Sequence, residues 1–83
     1  MTINIKLFAI LRDKAGVSDL PLDLPQSATV SDAIETFLAR HPGLTPFANR
    51  IACAVNLERA APDQVLHEND ELALLPPVSG GSE

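Results

Sequence analysis

The chain has 83 residues, enough for one domain, and a domain this short buries only roughly 60–65% of the surface its unfolded form exposes. Its 46% hydrophobic and 20% charged residues suit a globular chain and argue against disorder or a coiled coil. A net charge of −5, with three Phe, no Trp and no Tyr, argues against nucleic acid held by phosphate charge or base stacking, and favours a basic protein partner.

The opening MTINIKLFAI lacks the basic and then unbroken apolar regions of a signal peptide. No apolar run approaches the ~20 residues that a membrane-spanning helix needs. The single cysteine, Cys53, cannot form an internal disulfide. The expected setting is the cytoplasm, with no membrane association.

In chain order, Thr2 to Phe8 alternates, with Ile3, Ile5 and Leu7 on one face and Thr2, Asn4, Lys6 and Phe8 on the other, which predicts a half-buried first strand. Ala9 to Ala15 loses the alternation and reads as a short helical turn closed by Gly16, where a positive φ is tolerated. Leu20, Leu22 and Leu24 alternate with Asp19, Pro21 and Asp23. That pattern predicts an edge strand, because proline donates no ladder hydrogen bond.

Val30, Ala33, Ile34, Phe37 and Leu38 recur at helical spacing and form one apolar stripe. Thr29 is the expected N-cap, Asp32 places negative charge in the first turn, Arg40 and His41 sit at the negative end of the dipole, and Pro42-Gly43 ends the helix. A loop containing Pro46 follows. Ile51 to Asn56 predicts a third strand with Ile51, Cys53 and Val55 on one face, and a turn near Asn56-Leu57 leads into a short fourth strand, Glu58 to Ala60. Asp63 to Glu68 reads as irregular and Asn69-Asp70 as a turn. Glu71 to Leu75 is the fifth strand, with Leu72 and Leu74 opposite Ala73 and Leu75, stopped by Pro76-Pro77.

The order β-β-α-β-β-β, with one amphipathic helix to cover one apolar sheet face, predicts an α+β fold of the β-grasp type. Its expected form is a roll with a mixed sheet of about five strands, one main helix packed on one face, and the first and last strands parallel at the centre. The expected division is a β-grasp domain over residues 1–77 and a flexible tail over 78–83, which has no core-forming pattern.

Asn69-Asp70-Glu71-Leu72-Ala73-Leu74-Leu75-Pro76-Pro77-Val78-Ser79-Gly80-Gly81 closely resembles the corresponding stretch of the MoaD/ThiS family of ubiquitin-like sulfur carriers, and within it the molybdopterin synthase branch. Lys6-Leu7-Phe8-Ala9 with Leu11-Arg12, Thr29-Val30, His41-Pro42 and Ala54-Val55-Asn56 extend the resemblance over nearly the whole globular part. The resemblance implies a protein co-substrate and not an enzyme. An adenylating, E1-like partner would use ATP and Mg to activate the terminal glycine carboxylate. A sulfur donor would then convert it to a thiocarboxylate, and the tail would enter the large subunit of molybdopterin synthase to deliver sulfur for the dithiolene of the molybdenum cofactor. On this chain Gly81 is then the sulfur acceptor with Gly80 beside it, while Phe8, Leu75, Pro76, Pro77, Val78 and Ser79 contact the partner. The chain binds no cofactor or metal itself.

These residue types suit the task. Two glycines without Cβ atoms pass through a narrow tunnel, and two prolines stiffen the base of the tail and limit the entropy lost on docking. A glycine pair near a chain end is by itself a flexible end, and it acquires meaning only from the strand, prolines and Val78-Ser79 before it. Phe8 and Leu75 are either a partner-binding patch on the outer sheet face or ordinary packing beneath the tail. Cys53 has no cationic neighbour in sequence and reads as a buried structural thiol. His41 reads as a helix-end residue and His67 as a solvated loop residue, since neither has metal-ligand spacing. The carboxylates read as solvated surface, with Asp70 and Glu71 as further contacts to a basic partner. No Ser-His-Asp set, phosphate-binding glycine loop or carboxylate pair stands out.

One departure matters. In the family the second glycine is the last residue, whereas here Ser82-Glu83 follow and hold Gly81 in a peptide bond. A processing protease removes them, or they are foreign to the natural chain, or sulfur transfer has been lost. The intact Pro-Pro-Val-Ser-Gly-Gly run favours the first two. The competing readings are a sulfur carrier for thiamin, tRNA or cysteine synthesis and, from another class, a non-covalent β-grasp protein-binding module acting through Phe8 and Leu75 alone.

Overall fold

A computed structural model describes residues 1–76 of the chain. Strand β1 (Thr2–Leu7) alternates as its sequence does, with Ile3, Ile5 and Leu7 buried and Thr2, Asn4 and Lys6 partly exposed. The chain then turns sharply into a short helix, α1 (Ala9–Ala15), whose Gly16 adopts φ 83° and donates its N–H to the Arg12 carbonyl at 2.9 Å. An L-side chain there meets the left-handed penalty that glycine avoids.

Strand β2 (Asp19–Asp23) runs antiparallel to β1, and β5 (Glu71–Leu75) runs parallel to it. Strand β3 (Ala52–Val55) pairs with β5, and the two-residue β4 (Glu58–Arg59) pairs with β3, both antiparallel. The order is therefore β2-β1-β5-β3-β4, a mixed five-stranded sheet with the first and last strands at its centre. Pro21 lies on the edge strand, as its missing N–H requires.

Helix α2 (Val30–Arg40) covers one sheet face. Its start is a capping box: the Asp32 N–H donates to Thr29 Oγ1 at 3.2 Å and the Thr29 N–H to Asp32 Oδ2 at 2.9 Å. Two further N-terminal donors, the N–H groups of Val30 and Ser31, reach the carbonyls of Gln64 and Pro62 at 3.0 and 2.9 Å. The irregular segment before β5 is thereby tied to the helix, and its Leu66 is buried with the core. At the other end the His41 ring stacks on Phe37 with centroids 4.6 Å apart, and its Nδ1 lies 3.2 Å from the Phe37 carbonyl. His41 is thus a helix-end residue.

The core joins Ile3, Ile5, Leu7, Leu22, Leu72 and Leu74 of the sheet to Val30, Ala33 and Phe37 of α2, with Leu11 and Leu44 closing its ends. Each such side chain contributes about 1.5–3 kcal/mol by leaving water. Residues 42–50 depart from the sequence expectation of a loop: Pro42–Arg50 is a 3₁₀ helix. Pro42 opens it, where the missing N–H costs nothing, and buried Leu44 pins it to the core. No helix of the described residues is long and apolar enough to cross a membrane.

Candidate functional site

Strand β5 leaves the centre of the sheet at Leu75, and Pro76 ends its ladder. On β1, Leu7 is in register with Leu74, so Phe8 follows at the strand end that faces Leu75. Both side chains belong to the face that α2 leaves uncovered, and they are 42% and 38% exposed. Between Phe8 and α1 stands Ala9 at φ 52°, a left-handed conformation that costs a non-glycine residue about 1–2 kcal/mol. The sharp turn stops Phe8 from continuing the strand. The structure therefore brings together Phe8, Leu75 and the half-buried Pro76. Pro77, Val78, Ser79, Gly80 and Gly81, with Ser82-Glu83 and the expected tail 78–83, lie outside the described residues.

The same outer face carries residues that the sequence left unassigned. Cross-strand register places Lys6, Ala73, Ala54 and Arg59 in one row, and Leu75 beside Ala52 in the next. A dent of about 170 Å³ is lined by Ala52, Cys53, Ala54, Arg59 and Leu75. Alternation placed small residues on this face, but only the β3–β4 pairing puts Arg59 over them. A wider cleft of about 530 Å³ opens between α2 and β3, with Ile34, Leu38, Ile51 and Ala60 among its walls.

Two expectations need correction or refinement. Asp70 is not available to a partner: its carboxylate accepts the His67 N–H at 2.8 Å and Asn56 Nδ2 at 2.9 Å, which fixes the turn before β5. Glu71 begins β5, four residues and so about 13 Å from Leu75. Cys53 is half-buried rather than fully buried, and burial raises its pKa above the ordinary thiol value, the opposite of an activated nucleophile. His67 is exposed, 3.9 Å from Asp70, and the described residues contain no group of three or more His, Cys, Asp or Glu placed to hold a metal. The geometry has the parts of a docking face that leads to a chain end, with its chemistry beyond Pro76.

A five-stranded β-grasp sheet whose central strand runs out beside an exposed apolar patch defines a ubiquitin-like protein. The chain belongs to the ThiS family, whose model matches residues 5–81. It is 33% identical to the molybdopterin synthase sulfur carrier subunit of Arabidopsis thaliana over 95% of this chain and 82% of that one. The crystal structure of small archaeal modifier protein 1 from Haloferax volcanii superposes with a TM-score of 0.88 at 36% identity, covering 98% of this chain and 100% of that one. A complex of subunits 1 and 2 of the molybdopterin-converting factor from Helicobacter pylori shares the fold, with a TM-score of 0.68 at 22% identity over 98% and 100% of the two chains. The protein is accordingly a small sulfur carrier, a co-substrate without catalytic side chains of its own.

Proposed function

We propose that this chain is the sulfur-carrier subunit of a molybdopterin synthase and bears sulfur as a thiocarboxylate on Gly81, after removal of Ser82-Glu83. The observation that carries the reading is the extent of the family match, which runs through β5 and the prolines and stops at Gly81. The carboxylate of Gly81 attacks the α-phosphorus of ATP on an adenylating partner and releases pyrophosphate, with Mg held by that partner. A sulfur donor displaces AMP to leave the thiocarboxylate. The outer face with Phe8 and Leu75 then seats the carrier on the synthase large subunit while the tail delivers sulfur to the pterin precursor, and hydrolysis returns the carboxylate. The cytoplasm is the setting where these partners meet. Intact-mass measurement of the protein from its native source tests this: a species ending at Gly81, or the same species heavier by the difference between sulfur and oxygen, is the expected result. Only full-length protein during active cofactor synthesis overturns it.

A second reading is favoured by 38% identity to small archaeal modifier protein 1 of Haloferax volcanii. Under it, the same freed glycine is joined to other proteins, and linked peptides carrying Gly81 on a lysine distinguish it from the carrier.

A further inference from the structure

The dent on the outer sheet face has a size and a rim that describe what fills it. Its ~170 Å³ is close to the ~150 Å³ that one benzene ring occupies, and below the ~300 Å³ at which pockets for small-molecule ligands begin. It accommodates one side chain. Ala52 and Ala54 supply a floor without polar side-chain atoms, and Leu75 forms a wall. Arg59 closes the remaining side, and among the described residues it has no carboxylate within 4.0 Å. The other cation of that row, Lys6, stands opposite Asp19 on β2, which leaves Arg59 as the cation whose charge this face does not answer. Leu75 leads directly into Pro76, so a protein that grips the tail necessarily lies over the dent.

We infer that the dent is a specificity pocket for the docking partner: it receives one apolar side chain of that partner, with a neighbouring partner carboxylate paired to Arg59. The inference rests on the sulfur-carrier reading for the partner's presence, and it adds which chemistry of the partner is recognised. The overall charge of −5 suggests a basic partner, whereas this pocket selects an acidic group next to an apolar one. Arg suits the role because its planar guanidinium binds a carboxylate through two parallel hydrogen bonds, which a lysine cannot reproduce.

Calorimetric titration of the full chain with the molybdopterin synthase large subunit of the same organism tests the pocket. Ala54→Ile fills the dent with a residue that strands favour, so the fold is kept. It and Arg59→Glu should each weaken binding about tenfold or more, with Arg59→Lys between. Arg59→Glu should also lessen the decline of affinity with salt, while Arg40→Glu, on the far end of α2, should leave affinity unchanged. Amide resonances of Ala52, Ala54 and Arg59 in the wild-type chain should shift on titration, a readout that does not depend on any variant folding. Ala54→Ile and Arg59→Glu binding within twofold of wild type overturns the pocket and leaves the carrier reading standing. Self-association of the free chain that Ala54→Ile abolishes overturns it in favour of a second copy as occupant. A wild-type chain that does not bind the large subunit overturns the synthase reading and the pocket with it.

Discussion

Asn56 and Asp70, 14 residues apart, are joined by a hydrogen bond of 2.9 Å from Asn56 Nδ2 to Asp70 Oδ1. The Glu71 N–H donates to Asn56 Oδ1 at 3.0 Å, so one side chain binds the β3–β4 hairpin to the start of the strand that carries the tail. Asn56 also holds φ 51°, which asparagine tolerates better than most residues. Asn56→Ala loses both bonds and places Ala in a left-handed conformation, so it should cost about 2–3 kcal/mol. Asn56→Gly loses the bonds without that backbone penalty and should cost about 1 kcal/mol less. Urea unfolding midpoints of the two variants compare the terms.

The next residue, Leu57, is the opposite case. It has φ 74° and is 88% exposed, at the second central position of a two-residue hairpin turn where glycine is preferred. Leu57→Gly should raise stability by about 0.5–1 kcal/mol, the relief of strain less the added entropy of the unfolded chain. A thermal melt that shows destabilisation would mean that the leucine makes a stabilising contribution in the folded chain.

At the docking face, Phe8→Ala should lower affinity for the synthase large subunit by about 2 kcal/mol, as loss of an interface anchor does. Its effect on stability should stay within about 0.5 kcal/mol, because the ring is exposed in the free chain. Equal affinity of the variant and the wild type would remove Phe8 from the interface.

Cys53 provides a pH prediction. Its pKa is raised by burial, so above the ordinary thiol value the unfolded chain releases the proton while the folded chain retains it. The stability due to the neutral thiol is complete below that value and is lost as pH rises through the folded-state value. Stability should therefore fall with rising alkaline pH more steeply in the wild type than in Cys53→Ala. At neutral pH a thiol-specific disulfide reagent should react more slowly with Cys53 than with free cysteine.

Much of the scaffold was legible because period and punctuation agree. The stripe Val30, Ala33 and Phe37, opened by Thr29 and closed at Pro42, became α2, and strict alternation in β1 put Ile3, Ile5 and Leu7 in the core. The 3₁₀ helix was hidden since Pro42 and Pro46 suggest a break, yet proline suits the opening of a helical turn and buried Leu44 supplies its anchor. Asp70 was misread because a carboxylate that closes a turn and one that waits for a partner look alike in sequence. Its hydrogen bonds decide between them. Phe8 and Leu75 were found from alternation, whereas Arg59 belongs to the face only through the register of a two-residue strand, which no local pattern encodes. Pro77 to Gly81 lie outside the described residues, and their reading rests on the family match.

The parallel pairing of β1 with β5 has a consequence for biosynthesis. The first strand to leave the ribosome waits for the last one before either has its central neighbour, so the sheet cannot assemble progressively behind the growing chain. A prematurely terminated product that ends before Glu71 lacks the middle of its sheet as well as the route to its glycines. Completion of folding and presentation of the reactive end are thus one event, and an unfinished carrier has nothing to offer its activating enzyme.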